Sequence, residues 1–209
     1  MFDYIRDPVE IHKRSFETVR AETDVSGLSA DEAALTVRLV HACGMPDIVR
    51  NLVFGPGALK VGRAALGEGA AILTDVEMVR HGIIRARLPA DNPVLCMLHD
   101  AGVKERAAEQ GTTRSAAAVD LWREGLEGSV VAIGNAPTAL FRLLEIIGDG
   151  VAPPAMIAAF PVGFVGAAES KEALIDFAAA KAIPFVTLKG RWGGSALAAA
   201  CVNAMGESE

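Results

Sequence analysis

Cysteine is scarce in this chain: Cys43, Cys96 and Cys201 are its 3 cysteines, far apart and odd in number. They contain no CxxC pair, which argues against both a disulfide framework and a zinc site and suits a reducing cytoplasm. Long apolar runs are also missing. No stretch reaches the ~18 uninterrupted apolar residues of a membrane span, and the amino terminus, MFDYIRDPVEIHKRS, lacks a basic-then-apolar signal pattern. The expectation is therefore neither a membrane partner nor a targeting segment. Positive charge is in deficit. A formal charge of -6 offers no general attraction to nucleic acid or anionic lipid, so basic groups matter only where the fold gathers them.

Nucleotide and hydrolase signatures are missing as well. No GxGxxG follows an apolar run, and Lys171 does not directly follow a glycine, as P-loop geometry requires. Ser170 and Ser195 stand before alanine-rich segments, where helix capping is the expected duty, and neither lies in a GxSxG elbow.

What is present is enough apolar sequence for a sizeable core: 209 residues, 51% hydrophobic and 22% charged, with no low-complexity linker. We read one domain over residues 1–209, with amino-terminal helices over about 8–66 and a parallel α/β core over about 70–206. The stretch SVVAIGNAPTALFRLLEII, at 129–147, organises that core. Its apolar run 130–133 breaks at Gly134 and Asn135, and Pro137 opens a segment with Leu140, Leu143, Leu144 and Ile147 at helical spacing, which reads as strand, turn, helix. Similar units put strands at about 70–74, 94–98, 155–160 and 185–188. The alternation predicts a mainly parallel sheet of about five strands with helices on both faces.

Ligands of such sheets bind at the carboxyl edge, where Asn135 and Thr138 would stand beside backbone amides. Asp75 follows the first strand as an expected N-cap of the next helix. Thr113 and Arg114 open a helix, and a cation in the first turn suggests an acidic partner or ligand. Lys189 and Arg191 lie in the loop after the last strand, and Phe160, Phe164 and Trp192 are candidates to cover a flat ligand or simply to pack. Two further helices precede the core. Asp7, Pro8 and Glu10 predict one over about 8–20, carrying His12 and Ser15; Ser29 and Glu32 form a capping box for another that ends at Gly44. That puts His41 in a last turn, where unpaired carbonyls favour the imidazolium.

Taken together, YIRDP with Ser15 and Phe16, VHACG at 40–44, TDVEMVRHG at 74–82, TTRSAAA at 112–118, SVVAIGNAPTALF, PVGFVGAAESK and GRWGGSA make the chain resemble precorrin-8X methylmutase over nearly its whole length. The resemblance implies a homodimeric three-layer α/β/α fold. It also implies an isomerase that moves a methyl from ring carbon eleven to ring carbon twelve of precorrin-8X to give hydrogenobyrinate, or cobyrinate if cobalt is already bound. By the same likeness His41 is the proton donor or acceptor and Ser15 contacts substrate, with neither cofactor nor metal. A polycarboxylate ligand of an acidic protein calls for local cations, for which Arg114, then Arg191 and Lys189, are the candidates, with Thr113, Asn135 and Thr138 as neutral donors. Two alternatives stay open: a non-catalytic tetrapyrrole carrier, and a phosphate-binding α/β enzyme supported by glycine-rich turns before helices.

Overall fold

Strands whose every residue is buried must be covered on both faces. The computed structural model describes residues 2–206 and contains four of them: β2 (Ile72–Thr74), β4 (Val130–Ile133), β5 (Met156–Ala159) and β6 (Phe185–Leu188). With the edge strands β1 (Leu52–Phe54) and β3 (Val94–Cys96) they form a sheet of order β1-β6-β5-β4-β2-β3. Every pairing is parallel except β1 against β6.

The two-residue period of a strand divides these runs between two cores. Val130, Ala132, Met156, Ala158 and Val186 face one side, packed under α3 (Ala58–Gly67), α4 (Glu77–Gly82) and α9 (Ser195–Gly206). Val131, Ile133, Ile157 and Ala159 face the other, against α7 (Pro137–Gly148) and α8 (Ala167–Lys181). The result is three layers, α/β/α. Each fully buried Val, Leu or Ile contributes roughly 1.5–3 kcal/mol, so a register slip of one residue in β4 would exchange both faces at once.

Two helices lie outside this sandwich. α1 (Pro8–Glu22) is capped by Asp7, whose carboxylate accepts from Val9 N–H at 2.9 Å. α2 (Ala30–Cys43) begins with the expected box, in which Ser29 N–H donates to Glu32 Oε2 at 2.9 Å, and closes on Gly44 at φ +69°, whose N–H donates to the Val40 carbonyl at 2.7 Å. α2 packs on α9, and α1 on α2.

The five strands read from the sequence are all present, and β1 is the sixth. Three residues after a 3-10 turn over Pro46–Asn51 are too few to show a period; β1 exists because the β6 edge is available to pair with it. The helix of Arg114 is α6 (Arg114–Val119), which follows α5 (Val103–Glu109) and tightens into a 3-10 turn before reaching Trp122. Ser170 does not cap a helix; Gly166 does, and Ser170 lies inside α8 with its hydroxyl donating to the Ala167 carbonyl at 3.2 Å. The polar tail 207–209, expected to fray, lies outside the described residues.

Candidate functional site

Packing α1 on α2 places Ser15 against the last turn of α2, where Ser15 Oγ and His41 Nδ1 are 2.9 Å apart. The bond engages Nδ1 and leaves Nε2 to give or take a proton. Phe16 fixes the ring's plane: it is 7% exposed, and the His41 imidazole stacks on it with centroids 4.6 Å apart and planes 29° apart. His12, one turn earlier on α1, stacks on the same phenyl ring at 4.4 Å. The Arg20 and Arg38 guanidinium groups lie 5.7 and 5.6 Å from its centroid. His41 itself is exposed and opens onto a cavity of about 140 Å³ walled by Phe16, Arg38, Arg87 and, from α9, Ala200 and Asn203.

The carboxyl edge of the sheet is built differently. Asp75 is 2% exposed and reaches across to the β4–α7 turn, accepting from Gly134, Asn135 and Ala136 N–H at 2.9, 2.9 and 2.8 Å. It therefore braces the turn that leads into α7 and does not cap the helix that follows it in sequence. Burial pushes its carboxyl upward, and the three N–H bonds oppose that rise. The amides expected to meet a ligand are already satisfied from within. Gly134 is required there, because a Cβ would stand 2.6 Å from Ser195 Cα.

The neighbouring loops are tied to each other as well. Lys171 is buried in α8 and donates to the Trp192 carbonyl at 2.5 Å, and loss of hydration pulls its ammonium down to about 8. Gly194 N–H donates to the Phe160 carbonyl at 2.8 Å, and Gly163 N–H to the Arg191 carbonyl at 3.2 Å. Phe160 is fully buried and so cannot cover a ligand, whereas Phe164 is 84% exposed, with the Arg191 guanidinium 5.4 Å from its ring. Thr113 and Thr138 share a hydrogen bond of 2.7 Å. Arg114, Asn135 and Lys189 are exposed, and Arg114 has no acidic partner among the described residues.

The candidates thus fall into two groups. Ser15 and His41 stand together; Thr113, Thr138, Asn135 and Arg191 belong to the sheet edge. α9 separates them: Ser195 at its start packs against Gly134, and Asn203 near its end lines the cavity of His41, about 12 Å further along a helix axis. Sequence reading passed over Arg20 and Arg38, and it named His12 only as a helix residue, Phe16 only within a motif, Asp75 as a cap of the following helix and Lys171 only against P-loop geometry. The four-residue spacing of His12, Phe16 and Arg20 was the available signal for a shared helix face.

Comparison with known proteins finds relatives over almost the full chain. The profile of the family described as precorrin-8X methylmutase matches residues 10–208. The chain belongs to the precorrin-8X methylmutase family. It is 58% identical to precorrin-8X methylmutase of Pseudomonas aeruginosa over 205 residues, covering 98% of both chains. It is 56% identical to the enzyme of that name from a Sinorhizobium species, covering 98% of this chain and 96% of the other. Cobalt-precorrin-8 methylmutase of Salmonella typhimurium is 38% identical over 97% of this chain and 96% of its own. A solved precorrin-8X methylmutase from Thermus thermophilus superposes with a TM-score of 0.84 at 34% identity, over 94% of this chain and 95% of that one.

Membership makes the protein an isomerase of cobalamin biosynthesis. The matched range, 10–208, spans His12, Ser15, Phe16 and His41 as well as the carboxyl edge of the sheet. Among the described residues no helix is long and apolar enough to cross a membrane, and Cys43, Cys96 and Cys201 are unpaired.

Proposed function

We propose that this isomerase converts precorrin-8X to hydrogenobyrinate by moving a methyl from ring carbon eleven to ring carbon twelve, with His41 handling the proton. The observation that carries the reading is the Ser15–His41 pair, in which one ring nitrogen is held at 2.9 Å and the other is left for chemistry. Reactant and product of a methyl shift have the same composition, so the reaction calls for no net oxidant, hydrolytic water or external methyl donor. What it does need is a proton delivered to the conjugated macrocycle and returned. His41 is suited to both, since Ser15 Oγ holds the Nδ1 side of the ring and leaves Nε2 to give or take the proton.

The relatives at 56–58% identity carry a name without cobalt, and one at 38% carries a name with it, which favours the cobalt-free substrate for this chain. A homodimer in the cytoplasm belongs to the same reading. In support, the apolar Phe2, Val9, Phe164 and Val165 are 91%, 75%, 84% and 88% exposed. Arg114, Lys189, Arg191, Thr113, Asn135 and Thr138 are proposed to meet the polar periphery of the substrate.

The test is an anaerobic assay that follows the spectral change on conversion of precorrin-8X. His41→Ala should lower turnover ~10²–10⁴-fold while hydrogenobyrinate still binds. Turnover near that of the wild type would remove His41 from the mechanism, and binding without conversion by the wild type would make the protein a carrier.

A further inference from the structure

Beside the His41 cavity, between α1 and α2, lies a larger one of about 540 Å³, whose walls include Lys13, Arg20 and Arg38 together with His12, Phe16 and Glu17. Three permanent cations face one carboxylate there, in a chain whose formal charge is -6. The two cavities share Phe16 and Arg38 as a common wall. Lys13 and Arg20 form no ion pair among the described residues, although Glu17 is four residues from one and three from the other on the same helix. Arg20 is instead directed over the Phe16 ring, 5.7 Å from its centroid. A guanidinium held this way loses little freedom when its N–H edge takes a carboxylate in two parallel hydrogen bonds.

We infer that this cavity is a carboxylate-binding subsite, in which Arg20, supported by Lys13 and Arg38, seats one acidic side chain of the tetrapyrrole and so brings the macrocycle edge to His41. The inference rests on the isomerase reading and adds to it the groups that orient the substrate. Its volume leaves ample room for a carboxylic arm of the macrocycle, and Glu17 keeps the local charge low enough for one or two carboxylates rather than a polyphosphate. The cations of this site therefore come from the α1–α2 pair that carries the imidazole, not from Arg114 or Arg191.

Arg20 is exposed, so its replacement should leave the fold intact, as a melting curve will register. Arg20→Ala should weaken binding of hydrogenobyrinate about 10- to 100-fold and raise KM for precorrin-8X by a similar factor, with a much smaller change in kcat. Arg20→Lys should recover part of the loss. An analogue with its peripheral carboxylates converted to amides should bind the wild type and Arg20→Ala alike. Unchanged hydrogenobyrinate affinity in Arg20→Ala and in the Lys13→Ala, Arg20→Ala double variant would overturn the subsite. Weakened binding in a protein that does not turn over precorrin-8X would uphold the subsite and reject the isomerase reading.

Discussion

The α1–α2 face and the carboxyl edge of the sheet both carry polar side chains, but they use them in opposite ways. At the sheet edge, donors and acceptors are consumed internally: Asp75 takes three amides, and Lys171 is spent on the Trp192 carbonyl. On the α1–α2 face His41 keeps a ring nitrogen, and Lys13 and Arg20 keep their charges. A buried polar group must be satisfied to be tolerated, so what is buried builds shape. A group at a solvent-facing helix junction can stay available, and this is where chemistry and recognition are expected.

The largest effect should come from testing the two regions against each other. His41→Ala, expected to cost ~10²–10⁴ in turnover, should leave the urea midpoint near that of the wild type, because the ring is exposed. Asp75→Ala should do the reverse, losing about 3–5 kcal/mol of stability by stranding three loop amides, with activity falling only as folded protein is lost. If Asp75→Ala proves as stable as the wild type, the edge is not the rigid half.

Lys171 provides a smaller and pH-dependent test. Its ammonium is held near 8 in the folded protein by lost hydration, against 10.5 in the unfolded chain. Between those values the unfolded chain holds a proton that the folded protein has shed, so stability should rise with pH across that window and be flat below it. Relative to Lys171→Met, the wild type should gain about 2 kcal/mol from pH ~8 to pH ~10.5, less whatever the bond to Trp192 restores to the charged form. Parallel pH profiles of the two proteins would show that the amine is hydrated. The smallest change belongs to Ser15→Ala. Loss of one hydrogen bond to His41 should lower turnover about 3- to 10-fold, and a drop as large as that of His41→Ala would give Ser15 a direct part in the proton transfer.

Much of the fold was legible because its signals are local. The runs at 130–133 and 185–188 are apolar at every position but Thr187, as suits a strand covered on both faces, and β4 and β6 occupy those bounds. Ser29 with Glu32, and Gly44, fix α2 through contacts within a few residues. β1 was not legible, since its reason for existing is the edge of β6, some 130 residues away. The site divides in the same way. His41 at a helix end could be read from spacing, but its bond to Ser15 spans 26 residues and depends on how two helices pack.

The amino-acid sequence by itself determined five of the six described strands, the mainly parallel character of the sheet, the helices that carry caps and the placing of an imidazole at the end of α2. These follow from the periodicity of burial and from caps that act within one turn. Tertiary structure alone decided that Asp75 would brace a turn some 60 residues further on, that Lys171 would be spent inside the protein, and that Phe16 would stack on two histidines beside three cations. The physical reason is that a side chain's remaining hydrogen-bonding capacity and charge depend on which distant neighbours share its burial, a property no local pattern encodes.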